Sequence, residues 1–351
     1  MASTPEPEKI SVLIDGKVFL HWSDIEIEFA MDSFSSVTFR APFEPDKRDF
    51  REVFKPFTFK PLEIRIEQSV MFTGTLVDVA PDFDADSSEV VVTAYSLPAV
   101  LGDCTAQGEK VPHEFKKIGF EEIAKTLAAP FGIRVRMLAE GGSVIDKAKL
   151  DTGEKIFEFL IKLAQQRSLI LSSTPEGELL CWRSVEAGNP RARIMQGEQP
   201  LVSIKASFSP QDYFSEITGF ASEKRRKEGS RYTARNPWLT TVIRPFSFRL
   251  DDTERGDAPA ETKNKLARMF GNMASWSIED LPTWRDPQGD LWEPNTTILV
   301  TAPKAMIYRE TELLIRTVRF KQSAGSYTAD LEVVLPGAFS GDVPKVLPWD
   351  D

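Results

Sequence analysis

Apolar and polar residues alternate along two distant stretches of this chain, and both stretches follow one plan. The first runs Leu62-Glu-Ile-Arg-Ile-Glu, then Val70-Met-Phe-Thr-Gly-Thr-Leu-Val-Asp-Val, an acidic turn, and Glu89-Val-Val-Val-Thr-Ala-Tyr, closing on Ser96-Leu97-Pro98-Ala99. The second runs Thr297-Ile-Leu-Val-Thr, then Glu312-Leu-Leu-Ile-Arg-Thr-Val-Arg-Phe, a polar turn with Gly325, and Thr328-Ala-Asp-Leu-Glu-Val-Val-Leu, closing on Pro336-Gly337-Ala338. A period of two is the mark of a half-buried antiparallel strand, so each stretch predicts three strands at similar spacing. A β unit present twice in one chain can offer two equivalent surfaces, and three such chains would offer six.

The residues before the first copy also read as strands: Lys9–Ile14, Lys17–His21, Asp24–Phe29 and Ser36–Phe39. Asp15-Gly16 supplies the positive φ that a tight hairpin needs. The Phe-rich, Pro-broken stretch up to Pro61 reads as an ordered connection with one helical turn. Residues 1–97 thus predict a first small antiparallel β-barrel. Residues 98–187 change period. Phe120, Ile123, Ala124 and Leu127 fall at helical spacing before Pro130, and Ile156, Phe159, Leu160 and Leu163 do so after the cap candidates Asp151 and Thr152. A strand at Ile133–Leu138 and a hairpin around Pro175-Glu-Gly177 complete an α+β domain of helix, strand, helix and hairpin. A linker at Ala187–Arg193 leads to strands at Leu201–Ser207 and Ser215–Ala221. Residues 188–229 and 292–340 predict a second barrel, and 230–291 an α+β insert with a helix marked by Leu266, Met269, Phe270 and Met273. Residues 341–351 form a tail. The fold class expected is α+β: two similar β-barrels and two α+β parts.

Composition narrows the chemistry. With 351 residues, 41% apolar and 27% charged, the chain suits a globular protein of about two to four domains. No apolar run reaches the roughly 18 residues of a membrane helix, and the N-terminus shows no secretory signal. Stable membrane insertion is therefore not expected. The net charge of −10 disfavours nonspecific adhesion to DNA. Cys104 and Cys181 read as small apolar side chains, not a disulfide framework. Asp82, Asp84 and Asp86 alternate as in a calcium loop, but Ser87 stands where Gly is needed and Thr93 where Glu is needed, so an acidic turn is the reading. The two histidines, His21 and His113, lie in no triad context, and no G-x-S-x-G occurs. No catalytic residue, cofactor or metal ligand is assigned. Paired carboxylates leave a cell-wall hydrolase as the enzymatic alternative. The basic run Lys224, Arg225, Arg226, Lys227 and the tail residue Trp349 are candidate partner contacts; the tail is expected to dock on a neighbouring subunit or spike. Trp284 and Trp292 are expected to pack in the core or a turn.

An ordered series of segments carries a resemblance. It comprises Tyr95-Ser-Leu-Pro-Ala-Val-Leu-Gly-Asp-Cys, Gly119-Phe-Glu-Glu-Ile-Ala with Phe131-Gly-Ile, and Gly153-Glu-Lys-Ile-Phe-Glu-Phe-Leu-Ile-Lys-Leu-Ala-Gln-Gln-Arg. Gly177-Glu-Leu-Leu-Cys-Trp, Gly289-Asp-Leu-Trp-Glu-Pro-Asn and Leu314-Ile-Arg-Thr-Val complete it. In order and spacing these resemble the baseplate hub proteins of contractile-tailed phages of the Mu type, related to the late-control tail proteins of P2-like phages. The series is also similar to the N-terminal part of type VI secretion spike proteins. The resemblance implies a non-enzymatic homotrimer forming a ring of pseudo-sixfold symmetry that joins a threefold central spike to the sixfold tail tube and lines the DNA exit channel. The implied partners are the spike, the tube or its initiator proteins, other baseplate proteins, and DNA in transit. The implied location is the virion tail after synthesis in the host cytoplasm. A hub of a phage-derived secretion or killing particle is the alternative.

Overall fold

Alternating side chains along the first hundred residues do form strands in the computed structural model, which describes residues 9–350 apart from 85–86, 107–111, 221–230, 251–257, 338 and 340. They are β1 (Ile10–Ile14), β2 (Lys17–Phe19), β3 (Asp24–Ala30) and β4 (Ser36–Pro42), then the short helix α1 (Arg48–Val53), then β5 (Pro61–Ile66), β6 (Ser69–Phe83) and β7 (Ser88–Ser96). Asp15 and Gly16, at φ 52° and 72°, make the tight turn between β1 and β2. Along β7 the inward side chains Val90, Val92 and Ala94 are wholly buried and their neighbours are not.

The middle of the chain holds α2 (Val100–Asp103), β8 (Glu114–Ile118), α3 (Phe120–Ala128), β9 (Val135–Met137), β10 (Ile145–Lys149), α4 (Ile156–Gln165), β11 (Ile170–Ser173) and β12 (Leu179–Trp182). The apolar faces of α3 and α4 meet in a core of their own around Ile123, Leu127, Phe159, Leu160 and Leu163. The residues before α4 differ from the sequence reading. Its N-cap is Lys155, with no side-chain cap, while the Glu154 carboxylate accepts the Asp151 N–H at 3.0 Å. This domain docks on the link between β3 and β4. Ser172 donates its hydroxyl to the Ala30 carbonyl at 2.7 Å, and the Trp182 indole donates to the Met31 carbonyl at 2.9 Å.

The last part holds β13 (Arg193–Met195), β14 (Ser203–Phe208), β15 (Glu216–Phe220), β16 (Arg231–Arg235), β17 (Pro245–Arg249), α5 (Ala258–Met273), β18 (Ala274–Leu281), β19 (Thr297–Ala302), β20 (Ile307–Ser323) and β21 (Ser326–Val334). β15 lies between β16 and β17 in a separate three-stranded sheet. β18 falls inside the stretch 230–291 and pairs with β21.

The duplication extends beyond the three runs visible in the sequence. In both units a long middle strand carries one extra residue at the same place. Leu76 pairs with Ala94 and Asp78 with Thr93, skipping Val77; Ile315 pairs with Val333 and Thr317 with Glu332, skipping Arg316. That bulge fixes the equivalence, because a bulge re-aims every residue after it. Outside the third strand, β4 pairs with β7 as β18 pairs with β21, so Ser36 and Ser275 correspond. One strand further out, β3 on β4 matches β14 on β18. The Leu76 N–H bonds to the Lys60 carbonyl as the Ile315 N–H bonds to the Thr296 carbonyl. Each unit is therefore a frame of five equivalent strands.

The fold is mostly β with few helices, and the two barrels expected from the sequence are replaced by one sheet. Among the described residues thirteen strands run in the order β14-β18-β21-β20-β3-β4-β7-β6-β5-β1-β2, with β19 beside β20 and β13 beside β19, and the path does not close. The physical reason lies in β20. At 17 residues it outlasts β19, and the rest of that edge takes β3 of the front unit. One hydrophobic core then runs through both units, from Val12, Ile27 and Phe39 to Trp276, Trp284 and Phe320.

Candidate assembly surface

The junction between the two units shows what joins one five-strand frame to another. β3 and β20 pair antiparallel over Ala30 to Asp24 and Thr317 to Ser323. On one face Ile27 and Val318 are fully buried, and Phe29 meets Phe320 edge to face at 6.0 Å between ring centroids. On the other face the charges are complementary. Arg319 donates to the Glu28 carboxylate at 2.5 Å, Lys321 bonds Asp330, and Arg316 holds Asp32 through two nitrogens at 3.0 and 3.3 Å. Burial works against all three cations, but the carboxylates outweigh it. Asp32 and Glu332 raise the pKa of Arg316, Glu28 that of Arg319, and Asp330 that of Lys321. Two-nitrogen pairing of this kind fixes orientation as well as charge.

Exposed apolar residues mark other surfaces. Phe57 (90% exposed), Phe59 and Phe83 (82%) lie on the front unit, Phe208 lies on β14, and Val242 and Ile243 (91%) lie before β17. Large apolar groups left open in numbers point to contact with another protein.

The sequence-assigned positions divide. Lys224, Arg225, Arg226 and Lys227 lie outside the described residues, as does Asp86. Trp349 is half-buried against its own chain, edge-on to Phe208 at 5.3 Å and tilted toward Trp276 at 6.4 Å. Hydrogen bonds to its main-chain carbonyls anchor the tail around it. The Tyr308 N–H donates to the Pro348 carbonyl at 3.1 Å, Arg309 to that of Leu347, and the Trp238 indole to that of Pro344. Trp284 and Trp292 are buried; Trp284 stacks on Tyr327 and bonds the Thr328 carbonyl at 2.9 Å. Asp84 is a turn residue whose carboxylate accepts the Ser87 N–H at 2.8 Å. His21 sits in an aromatic group with Phe19 and Phe50, and His113 lends its main-chain carbonyl to Leu150. Cys104 and Cys181 are free thiols; burial, with Glu121 adding, pushes Cys181 up to about 12. Among the described residues no three His, Cys, Asp or Glu side chains gather as a metal would require. Sequence reasoning missed the β3–β20 junction. The opposed charges of Glu26 and Glu28 against Arg319 and Lys321 were the available signal.

Comparison with known proteins follows this geometry. Residues 98–183 match the family model of the second domain of gp44-like baseplate hub proteins. Over 325 residues the chain is 25% identical to the baseplate hub protein gp44 of Escherichia phage Mu, covering 88% of this chain and 83% of that one. Its fold is similar to the crystal structure of the 43 kDa tail protein of prophage MuSo2 from Shewanella oneidensis. The TM-score is 0.80 at 21% identity, over 94% of this chain and 99% of the other. It is less similar to the E. coli c3393 protein, a component of the type VI secretion system, with a TM-score of 0.56 at 10% identity over 96% and 80%. These two structures speak for the fold alone. The sequence match goes further than the fold: over most of its length the chain is similar in sequence to the baseplate hub protein gp44 of phage Mu, and residues 98–183 match the second domain of the gp44-like hub proteins.

Proposed function

We propose that this chain is the structural hub of a contractile phage-tail baseplate, three copies forming a ring between a threefold central spike and the sixfold tail tube. The observation that carries the reading is the pair of five-strand frames with the same register and the same bulge, held in one sheet. Two equivalent frames per chain turn threefold symmetry into six similar surfaces for a tube, while the single domain at 98–183 keeps threefold symmetry for the spike. Obligate rings are a natural use of repeated units. The tube or its initiator and the other baseplate proteins are the further partners, and DNA passes through the ring. The acidic balance of the chain fits a channel wall from which phosphates are repelled.

Light scattering coupled to size exclusion tests this first. A mass of three chains of 39.4 kDa is expected, with imaging to show six similar lobes. A persistent monomer, with or without the spike protein, refutes it. A tail-borne cell-wall hydrolase is the competing reading; clearing of a peptidoglycan suspension by the purified chain would favour it.

A further inference from the structure

We propose that the junction inside the chain is repeated between chains: the outer edge of β14 in one copy pairs with the free half of β6, Val79–Phe83, in the next. The proposal rests on the ring reading and names the surfaces that would build it.

The frame equivalence supplies the register. Along β20, residues past the bulge pair with β21 on one edge and β3 on the other. The matching residues of β6 pair with β7 on one edge, and among the described residues no strand pairs with their other edge. β14, the counterpart of β3, pairs among the described residues with β18 alone and ends the sheet. One frame thus has an empty place where the other has a strand, and a second copy carries the strand that fits. Transferring the β3–β20 register puts Val79 opposite Phe208, Ala80 opposite Ser207, Pro81 opposite Ala206, Asp82 opposite Lys205, and Phe83 opposite Ile204 of the next copy.

Three features of these residues fit the pairing. First, backbone direction agrees. The Asp84 N–H bonds Ser87, so Val79, Pro81 and Phe83 turn their main-chain groups away from β7; the Ser209 N–H bonds Met273, so Ile204, Ala206 and Phe208 turn theirs away from β18. Second, part of the apolar row is uncovered. Phe83 is 82% exposed, and Phe208, though it meets Trp276 and Trp349, is still 42% exposed, whereas its counterpart Phe29 is half-buried against Phe320. Third, the charges are complementary with reversed sign. Within the chain, basic β20 (Arg319, Lys321) meets acidic β3 (Glu28, Glu26); between chains, acidic β6 (Asp82) meets basic β14 (Lys205), which already pairs Glu279 at 2.5 Å. The reversal forbids exchange: β3 on β6 would set Glu26 against Asp82, and β14 on β20 would set Lys205 against Lys321. Pro81 has no N–H to give, so the joint loses one ladder bond at its centre and shuns indiscriminate strand addition.

A disulfide reads the register directly. Ala80 and Ser207 form a non-hydrogen-bonded pair, whose Cα atoms lie about 4.5 Å apart, within disulfide range. The full chain carrying Ala80→Cys and Ser207→Cys, with Cys104→Ser, is oxidised and run without reductant. Multiples of the chain up to a closed ring are expected, while each single-cysteine chain gives none and a mixture of the two stops at a dimer. Asp82→Lys alone, or Lys205→Asp alone, is expected to shift the wild-type mass toward one chain, and the two together to restore it. A wild-type ring that forms no cross-link and ignores the charge reversals overturns this joint and leaves the hub reading standing. A chain that stays monomeric and uncrosslinked overturns both.

Discussion

Trp349 decides whether the tail belongs to this chain's fold or waits for a neighbour. The side chain is half-buried, edge-on to Phe208 and tilted to Trp276. Covering roughly 100 Å² of indole at about 25 cal/mol/Å² gives about 2.5 kcal/mol. Two ring contacts add about 0.5 kcal/mol each at the low end of their range. Trp349→Ala is therefore expected to cost about 3.5 kcal/mol. For a cooperative unit of about 200 residues that lowers the melting midpoint by roughly 7–14 °C. The assay is thermal unfolding followed by circular dichroism at two protein concentrations tenfold apart. An intramolecular tail gives the same loss at both. An unchanged midpoint refutes the packing argument. A loss confined to the higher concentration refutes it differently, placing Trp349 on a neighbouring chain.

Other residues give shorter tests. A Cβ on Gly74 would stand 2.2 Å from the Tyr95 carbonyl oxygen and 2.6 Å from the Phe72 ring, so Gly74→Ala should destabilise the front unit by about 2 kcal/mol or more, read by urea unfolding. The Asn295 side chain accepts the Val185 N–H at 2.9 Å and donates to the Arg183 carbonyl at 2.8 Å, with its own φ at 62°. Asn295→Ala should cost about 2–3 kcal/mol and expose residues 184–190 to limited proteolysis. Glu114 is held down to about 2 by hydrogen bonds from Lys116 and then Lys147. Its folded pKa is depressed, so its support of the β8–β10 pair is present above the ordinary carboxylate range and lost as pH falls toward 2; NMR titration of Glu114 checks this, and Lys116→Ala should move its midpoint upward. Cys181, with its thiol pushed up to about 12 and buried, should resist a thiol reagent in the folded chain and react on unfolding.

Local chemistry made much of the frame legible. The period of two placed β1 to β7 within a few residues, the Asp15-Gly16 turn is where its chemistry demands, and the helical spacing of Phe120–Leu127 and Ile156–Leu163 produced α3 and α4. The pairings were not legible, because they join residues hundreds apart. Asp24–Ala30 and Thr317–Ser323 are announced to each other only by their opposed charges, Glu26 and Glu28 against Lys321 and Arg319, a signal too common in this chain to single out one partner. β8 and β10 escaped notice because Glu114-Phe-Lys-Lys-Ile and Ile145-Asp-Lys-Ala-Lys carry too few apolar residues for a clear alternation. Membership of β14 and β18 in the second frame was hidden by the sixty-odd residues folded between them, where β3 and β4 are joined directly. Trp349 looked unsupported because the aromatic rings that cover it come from Phe208 and Trp276, which only the fold brings near. Closure is the hardest property to read. Alternation says that one face of a strand is buried, and a curled barrel and a continuous sheet both satisfy it.

The open sheet and the repeated frame bear on each other. A frame whose five strands closed on themselves would present no edge, and a duplicated pair of such barrels could associate only through side chains. Here β20 keeps part of an edge beyond β19, and β3 fills it; β6 keeps the matching part beyond β5, where no strand of the same chain pairs among the described residues. One long strand per frame can therefore do two tasks: β20 completes its own unit with its first half and receives the front unit with its second, and in the joint proposed above β6 would do the same for a neighbouring chain. Joining frames this way costs little new chain, because the receiving edge already exists once the strand outlasts its hairpin partner. It also makes every joint directional, since β14 and β6 are different strands, and a head-to-tail contact of this kind closes into a ring or runs on as a filament according to its rotation. The inner junction, already formed within each chain, sets that rotation for half of the joints. If the outer joints copy it, as the shared register and bulge would dictate, all joints turn by the same angle, and the ring holds twice as many frames as chains.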